Sequence, residues 1–486
     1  MYIGLDLGTS GVKALLMDAE QRIIGSANAS ISVSRPQAGW SEQHPQEWVG
    51  ACDKAMEHLR GRFPREFAAT EAISLSGQMH GATLLDSSGE VIRPCILWND
   101  TRSHVEAAEL DANPLFRQLS GNIVFPGFTA PKLCWVAKHE PANSARVAKV
   151  LLPKDYLRFW LTGDYVSEMS DAAGTSWLDV AKRDWSPELL AASGMRAEQM
   201  PRLVEGSEVS GELRAELCSR WGFVKVPKVG GGAGDNAASA IGMGVVREGQ
   251  AFLSLGTSGV LFAATAGYKP KAESAVHAFC HAIPNTWHQM GVILSATDAL
   301  NWYARIAGKD AAVLTAALDD KPKGPTSVRF VPYLSGERTP HNDARVRGSF
   351  IGLEHQSDQA SLTQAVLEGV SFAIRDNLEA LKSAGTELKS VVAVGGGSGS
   401  KFWLQTLANT LDLPVELPRD GDFGAAFGAA RLAQLAVTDS DPLELLKTPV
   451  IDAVFEPTNQ SAYQEAYRHY KRIYPAVRDL SLSAPG

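Results

Sequence analysis

The hexapeptide LGTSGV occurs twice in this chain of 486 residues, at residues 7–12 and again at residues 255–260. In each copy it follows a short apolar run, YIGLD or AFLSL, and precedes another, KALLMD or LFAAT. Matching flanks on both sides of a repeated turn, about half a chain apart, indicate an internal duplication. The repeat therefore predicts two related α/β halves, which we divide near residue 246 into residues 1–246 and 247–486.

Length and composition fit a two-domain globular protein. A chain of 486 residues exceeds what one hydrophobic core normally supports. The net charge of −8, without a basic stripe, argues against a nucleic-acid partner. Five scattered cysteines and the absence of a basic or apolar leader predict a cytoplasmic protein with reduced thiols. Residues 250–268 carry no charge, but Gly256 and Gly259 favour two strands about a turn over a membrane helix.

Each copy of the repeated turn offers backbone N–H groups together with threonine and serine hydroxyls, a donor set suited to phosphate. Neither copy is a Walker loop, because no G-x-x-x-x-G-K-[ST] segment is present. In the first copy Asp6 ends the preceding strand and Lys13 follows the turn. A carboxylate can hold hydrated Mg²⁺ and a cation can bind phosphate oxygens, although Lys13 taken alone is equally typical of a solvated strand.

A second glycine-rich stretch, VGGGAGDNAASAIG at residues 229–242, contains Asp235 where a phosphate-binding turn would carry no negative charge. Asp235 is then either a helix cap or a carboxylate needed for chemistry. The segment also nearly matches the dinucleotide-binding fingerprint. An NAD(P) oxidoreductase is nevertheless rejected, because Asp235 would lie inside the pyrophosphate loop and no second strand ending in an acid follows.

Helix and strand alternate most clearly in the second half of the chain. Apolar residues at helical spacing predict a helix over residues 361–385, with Ser361 as N-cap and Gly385 as C-cap. Residues 388–400 then run from a strand into the triplet Gly395–Gly397. Small-molecule sites in α/β sheets lie at the carboxyl ends of strands, and glycines allow a nucleotide to approach the backbone.

A polar tip with the sequence Gln-Met-His joins two predicted strands within residues 74–86. Its Met79 and His80 are placed to meet a sugar hydroxyl, although a lone histidine is more often structural.

Tryptophans and histidines provide two further candidates. The polar surroundings of Trp40, Trp48 and Trp98 suit an indole that packs on a sugar, although a core position is the more common interpretation for any one of them. The segment HAFCHAIPNTWH, residues 277–288, matches no standard zinc spacing and is interpreted as buried strand.

Together these segments resemble the FGGY carbohydrate kinases along the whole chain, and most closely the members that phosphorylate D-xylulose. The resemblance is carried, in order, by YIGLDLGTSGVK, SGQMHG, ILWNDTR, LLPKDYLRFWLTG, SDAAGTSWLDV, GGGAGDNAA, SLGTSGV and PYLSGERTPH. Residues 127–139 are similar to the first family signature and residues 348–369 to the second, which departs from the pattern at Ser361. As Ser361 is the predicted N-cap, this departure is not expected to affect function.

The resemblance implies an α/β fold of two ribonuclease-H-like, actin-type domains with ATP and sugar in the central cleft. Residues 1–246 would bind the sugar and carry the base, and residues 247–486 would bind the nucleotide. It implies Asp235 as general base and Asp6 as the carboxylate associated with Mg²⁺. The expected sugar contacts are Met79, His80, Asp235 and Asn236, together with Trp98 from its polar setting. The expected ATP contacts are Thr9, Ser10, Lys13, Gly256, Thr257, Thr297, Asn301, Gly396 and Gly397.

The implied activity is the ATP-dependent phosphorylation of D-xylulose to D-xylulose 5-phosphate in the cytoplasm. Two alternatives stay open: a kinase for another ketose or polyol, such as ribulose, glycerol or an alditol, and an actin-like nucleotide-binding sugar sensor. Asp235 separates these classes, since a sensor needs no base. The expected partners are sugar and ATP, without nucleic acid or membrane, and the oligomeric state is open between monomer and homodimer.

Overall fold

The computed structural model describes residues 1–319, 321–419 and 424–481. Its β-strands are β1 (Tyr2–Leu7), β2 (Gly11–Met17), β3 (Ile23–Ser30), β4 (Glu42–Gln43), β5 (Ala72–Gly77), β6 (Thr83–Leu85), β7 (Cys95–Ile96), β8 (Lys149–Leu151), β9 (Val166–Glu168), β10 (Leu178–Asp179), β11 (Asp184–Trp185), β12 (Arg202–Val204), β13 (Val209–Glu212), β14 (Lys228–Gly230), β15 (Ala233–Gly234), β16 (Ala251–Leu255), β17 (Gly259–Thr265), β18 (His277–Cys280), β19 (Trp287–Ile293), β20 (Arg329–Val331), β21 (Ser349–Ile351), β22 (Val391–Val394), β23 (Val415–Pro418) and β24 (Ile451–Phe455).

The α-helices are α1 (Pro45–Arg62), α2 (Pro64–Ala68), α3 (His104–Asp111), α4 (Pro114–Ser120), α5 (Thr129–His139), α6 (Pro141–Ser144), α7 (Pro153–Thr162), α8 (Met169–Ala172), α9 (Pro187–Ala192), α10 (Ala215–Trp221), α11 (Asp235–Gly242), α12 (Thr297–Ala307), α13 (Ala311–Ala316), α14 (Gln359–Ser383), α15 (Lys401–Leu411), α16 (Ala425–Val437), α17 (Pro442–Leu445), α18 (Gln460–Tyr470) and α19 (Ile473–Ser481). Short 3₁₀ turns lie at Ala173–Thr175, Ala197–Gln199, Ala272–Ser274 and Gly396–Gly399.

Two seven-stranded sheets form the framework, and their five central strands are arranged alike. In the first sheet the order is β13-β14-β5-β1-β2-β3, with β15 pairing beside β5; in the second it is β18-β19-β17-β16-β22-β23-β24. The hairpin β1–β2 corresponds to β16–β17, and each first strand pairs in parallel with the next crossover strand, β5 or β22. The expectation that both copies of LGTSGV occupy the same strand context is confirmed. The division at residue 246 stays a prediction.

Both repeated turns connect the strands of a hairpin. In the first, the register pairs Asp6 with Lys13, and the N–H of Gly8 donates to the carbonyl of Gly11 at 2.9 Å. In the second, Leu255 pairs with Gly259. The uncharged residues 250–268 are therefore two strands of a sheet, as predicted. Among the described residues, no helix combines the length and apolar character needed to cross a bilayer.

One helix from the second half of the chain packs on the sheet of the first half. α16 lies against β1, β5 and α11. Contact is at backbone distance: a Cβ added to Gly428 would fall 1.7 Å from the carbonyl oxygen of Ala238, and one added to Gly4 would fall 1.9 Å from that of Ala426. Only glycine allows two elements to approach so closely. The two halves thus share part of one core.

The helix predicted over residues 361–385 begins and ends slightly earlier. α14 is capped by Asp358, whose carboxylate accepts the N–H of Ser361 at 2.8 Å. The Ser361 hydroxyl lies 2.9 Å from the N–H of Asp358, so Ser361 completes a capping box at its third helical position. The assignment of Ser361 as N-cap was wrong, because an aspartate three residues earlier provides a favourable cap. Gly385, with φ of +85°, follows the C-cap Ala384.

Candidate active site

Asp235 and Asp6 stand at neighbouring strand ends of the first sheet. β1 and β15 both run parallel to β5, and Asp6 and Ala233 both lie in register with Ser76. Asp235 follows two residues after Ala233, as the first residue of α11. Because parallel strands end at one edge of a sheet, both carboxylates lie at the edge where such sheets bind ligands.

Asp235 is not the cap of its helix. The N-cap is Gly234, which offers no side chain for capping. The Asp235 Oδ1 instead accepts the backbone N–H of Asn236 at 2.7 Å and its side-chain amide at 2.8 Å. The carboxylate is half-buried. Burial, followed by the charge of Asp6, raises the pKa of Asp235 to about 6. Such a group is poised to accept a proton near neutral pH.

The turn after β1 is fixed by amide and indole groups. The Thr9 hydroxyl donates to Gln78 Oε1 at 3.1 Å and accepts the indole N–H of Trp98 at 3.0 Å. The side-chain N–H of Gln43 donates to the carbonyl of Thr9 at 2.7 Å, and Gln43 Oε1 accepts the side-chain N–H of Gln78. Trp98 leaves 48% of its surface exposed. This network links the first repeated turn, which contains Thr9, to the tip that carries Met79 and His80.

His80 sits in a strained and tightly held turn. Its φ is +68°, a conformation that costs energy for any residue but glycine. The Lys132 ammonium and the Thr129 hydroxyl both donate to the carbonyl of His80, at 2.8 and 3.1 Å. Its Nδ1 lies 2.7 Å from the carbonyl of Gly174, and its ring stacks on Phe128 with centroids 4.5 Å apart.

The electrostatic environment keeps His80 neutral. Burial, then the charge of Lys132, lowers the pKa of His80 to about 3, against the opposing effect of the Gly174 carbonyl. Since that carbonyl can only accept, Nδ1 carries the proton and Nε2 is an acceptor. A neutral imidazole with an acceptor nitrogen suits a sugar hydroxyl. Met79 is buried beside it, against Gly234 and Gly174.

Four of the predicted nucleotide residues line one cavity in the second half. The cavity has a volume of about 660 Å³ and is lined on one side by Thr297, Asn301, Gly396 and Gly397. Lys401 and the apolar residues Leu300, Ala312 and Leu318 also face it. A cavity of this size with an apolar wall suits a nucleoside.

The glycine loop at this cavity requires residues without a side chain. Gly395 has φ of +90°, and a Cβ there would lie 2.8 Å from the carbonyl oxygen of Leu255. Thr297 is bound to the second repeated turn, because its N–H and hydroxyl both donate to the carbonyl of Gly256, at 2.9 and 2.7 Å. The turn containing Thr257 thus meets the cavity through Thr297, at the start of α12.

Other predicted residues lie around the strand ends. Ser10 and Thr257 are exposed at the tips of the two turns, and Lys13 lies opposite Asp6 in the hairpin. Asn236 borders a second cavity, of about 390 Å³, which Gly395 and other residues also line. The predicted residues therefore occupy the carboxyl-end edges of the two sheets.

Trp48 and the histidine-rich segment belong to the interior. Trp48 is fully buried, and Trp40 packs at 3.6 Å on the guanidinium of Arg102. His277 and His288 are buried and stack on Phe279 and Phe262, respectively. Within the described ranges, no group of three or more His, Cys, Asp or Glu side chains is arranged to hold a metal ion.

Sequence reasoning missed the residues that hold the site in place. Gln43 and Thr129 anchor the turns described above, and Lys132 supports His80 while buried, its pKa lowered by that burial to about 7. Thr129 and Lys132 lie within residues 127–139, so the signature segment was the available signal. Ser170 and Arg158 contact the glycine turn before Asp235. The only signal for them in the sequence was that they lie within segments that resemble the family.

The donors present fit ATP and Mg²⁺. Asp6 supplies the hard carboxylate oxygens that Mg²⁺ prefers. The two repeated turns supply phosphate donors, with the hydroxyls of Ser10, Thr257 and Ser258 exposed at their tips. The cavity lined by Thr297 and Asn301 has room for the nucleoside.

Comparison with known proteins gives full-length matches. Residues 1–242 match the model of the FGGY family of carbohydrate kinases, N-terminal domain, and residues 251–437 match that of the C-terminal domain. The chain is similar to the xylulose kinase of Escherichia coli K12, with 47% identity over 99% of this chain and 100% of that protein.

Solved structures agree over the whole length. The crystal structure of a xyloylose kinase from Brucella ovis is 62% identical, covers 99% of both chains and superposes with a TM-score of 0.98. The crystal structure of xylulose kinase from Rhodospirillum rubrum is 28% identical, also covers 99% of both chains and gives a TM-score of 0.92.

Proposed function

The chain belongs to the FGGY family of carbohydrate kinases, and we propose that it transfers the γ-phosphoryl group of ATP to D-xylulose, giving D-xylulose 5-phosphate and ADP. The observation that carries this proposal is the placement of Asp235. A half-buried carboxylate with a raised pKa stands at the strand-end edge of the first sheet, beside the turn of Thr9 and the tip of His80.

In this reaction the oxygen of the sugar hydroxyl forms a bond to the γ-phosphorus, and Asp235 accepts the proton that this hydroxyl loses. The bond from that phosphorus to the bridging oxygen of ATP breaks, and ADP leaves. Phosphoryl transfer depends mainly on positioning and charge compensation, so the base must be correctly placed rather than strong. Residues 1–246 supply this base and the sugar contacts.

The sugar contacts proposed are Met79, His80, Trp98 and Asn236, with Asp235 at the reacting hydroxyl. Neutral His80 presents an acceptor to a hydroxyl, and its rigid turn fixes where that hydroxyl lies. Half-exposed Trp98 offers an indole face beside Thr9.

The nucleotide contacts proposed lie on both repeated turns and in the larger cavity. Residues 247–486 hold the nucleoside through Thr297, Asn301, Gly396 and Gly397, and the phosphates through Gly256 and Thr257. Thr9, Ser10 and Lys13 meet the phosphates from the first half. Mg²⁺, when bound near Asp6, would supply charge compensation to the phosphate oxygens.

Two neighbouring functions remain as alternatives. A kinase for ribulose, glycerol or an alditol would use the same base, and a sugar sensor would bind ligands without transfer. We favour xylulose because the full-length relatives reported above carry that name. We place the reaction in the cytoplasm, consistent with five free cysteines, and leave monomer or homodimer to a light-scattering measurement.

The experiment is a coupled ADP-release assay of the purified full chain with ATP and Mg²⁺ over D-xylulose, D-ribulose, glycerol and xylitol. The expected result is the highest kcat/KM with D-xylulose and no activity when Mg²⁺ is chelated. A higher kcat/KM with another acceptor would identify that acceptor as the substrate in place of D-xylulose. Binding of ATP and xylulose without turnover would favour the sugar sensor.

A further inference from the structure

Five charged side chains form a cluster with no exposed side-chain surface. They are Lys154, Asp155, Arg158, Glu168 and Asp171, which we call the buried ion cluster. The Lys154 ammonium lies 2.8 Å from Asp155, 3.2 Å from Glu168 and 2.9 Å from Asp171. Buried ion pairs seldom stabilise a fold more than apolar residues of the same volume. Stability alone is therefore a weak reason to bury five charged side chains together.

The cluster lies against the strand ends that carry the predicted base. A Cβ added to Gly77, the last residue of β5, would fall 2.9 Å from the Cβ of Lys154. Burial acts to lower the pKa of Lys154, but the surrounding carboxylates raise it overall. The ammonium thus stays charged and holds Glu168 in place.

A chain of hydrogen bonds connects the cluster to the residue before Asp235. Glu168 Oε2 accepts the hydroxyl of Ser170 at 2.8 Å. The same hydroxyl oxygen accepts the N–H of Gly234 at 3.0 Å. All three groups are buried, so no water replaces a lost partner easily.

The cluster also holds the start of the same turn. The Arg158 guanidinium donates to the carbonyl of Gly230 at 3.3 Å and to that of Gly231. Residues 230–234 contain four glycines and one alanine, so the turn has no side chains of its own with which to fix its shape. Backbone pairing with β5 and β13 holds the turn, and Arg158 and Ser170 add side-chain anchors at its two ends.

We propose that the buried ion cluster positions Asp235 for proton transfer, acting on the glycine turn through Ser170 at one end and Arg158 at the other. The inference rests on the proposed function, since it takes Asp235 as the base. Ser170 is a positioning residue: it touches the backbone of Gly234 and not the sugar. Displacing a catalytic group by a fraction of an ångström lowers kcat without weakening ATP binding.

The first test replaces the hydroxyl of Ser170. Ser170→Ala and the near-isosteric Ser170→Cys should lower kcat for xylulose about tenfold with KM for ATP unchanged, and Ser170→Thr, which keeps the hydroxyl, should restore most of it. Ser120→Ala is the matched control, because that buried hydroxyl likewise accepts a backbone N–H, at 3.3 Å, while it donates to a backbone carbonyl at 2.7 Å instead of to a carboxylate. Wild-type kcat in both Ala and Cys variants would overturn the proposal.

The second test asks whether Ser170 acts through Asp235. In an Asp235→Asn background, Ser170→Ala should cause no further loss of kcat, whereas an equal loss in both backgrounds would contradict the positioning role. Hydrogen exchange over residues 230–235 gives a readout that needs no activity: Ser170→Ala should speed it while Ser120→Ala does not. An unchanged exchange rate in Ser170→Ala would show that Ser170 does not anchor the glycine turn. If the wild-type protein is inactive on every acceptor, the proposed function is wrong. The hydrogen-exchange result then still tests whether Ser170 anchors the turn.

Discussion

Replacing Asp235 with asparagine tests the base assignment through stability as well as rate. Asparagine keeps the shape of the side chain but carries no charge. In the folded protein, burial and the charge of Asp6 raise the pKa of Asp235 from 3.8 to about 6. A difference of about two pKa units means that ionised Asp235 costs the fold on the order of 3 kcal/mol at neutral pH. Asp235→Asn should therefore raise the free energy of unfolding at pH 7.5 by up to that amount.

The pH dependence of this effect has a definite sign. At roughly pH 4 to 6, folded Asp235 holds a proton that the unfolded chain has lost, so wild-type stability falls as pH rises through this window. Below about pH 4 the carboxyl is protonated in both states, and the difference between variant and wild type should vanish. Urea unfolding at several pH values measures this difference. A difference independent of pH would show that the carboxylate is not perturbed as described.

The rate makes the complementary prediction. If Asp235 accepts the proton, Asp235→Asn should lower kcat by roughly 10²–10⁴-fold, while KM for ATP stays near that of the wild type. Wild-type kcat should fall about tenfold per pH unit well below pH 6, and the variant should lose this dependence.

The competing explanation is that Asp235 merely favours the start of α11. It predicts a loss of about 0.3–1 kcal/mol in stability on substitution and nearly unchanged activity. Asp358→Asn is the matched control, since it makes the same change at the start of α14 and should leave kcat intact. Activity of Asp235→Asn within a few-fold of wild type, with lower stability, would refute the reasoning.

Three further predictions concern the sugar side and the cleft. His80→Ala should lower kcat/KM for xylulose about 10- to 100-fold with KM for ATP unchanged, because a buried hydroxyl loses its partner; an unaffected kcat/KM would make His80 structural. Gly174→Ala should raise KM for xylulose, since its Cβ would lie 2.4 Å from the His80 ring, whereas Gly50→Ala, with open space around it, should not. Without sugar, ATP hydrolysis should be a small fraction of the kinase rate, because we expect the cleft to close and complete the site only when sugar binds; a comparable rate measured by ADP release would contradict this.

The sequence predicted the features that depend on neighbouring residues. The repeated hairpins could be recognised because a glycine turn and its two strands are contiguous. The placement of α16 on the first sheet could not, since its residues are almost all apolar or small and do not indicate which sheet they cover. Ser361 was misassigned because serine and aspartate both cap helices, and only the structure shows which one accepts the N–H.

The same distinction applies to the candidate site. Asp235, His80 and the glycines stand out as unusual residue types in short motifs. Their supports lie far along the chain: Lys132 is 52 residues from His80, and Ser170 is 64 residues from Gly234. Such pairings arise from the packing of α5 and α8 against strand ends, which local periodicity does not reveal.

The packing of α16 on the first sheet has a consequence for how the protein is made. During synthesis, β5 is completed 348 residues before the covering helix begins, and β1 is completed 418 residues before it. Until α16 follows, the nascent chain carries an open apolar sheet face, a surface that attracts chaperones and promotes aggregation. A chain interrupted before Ala425 would keep that face permanently, so quality control in the cell would act on truncated forms even when all of β1 to α11 is present.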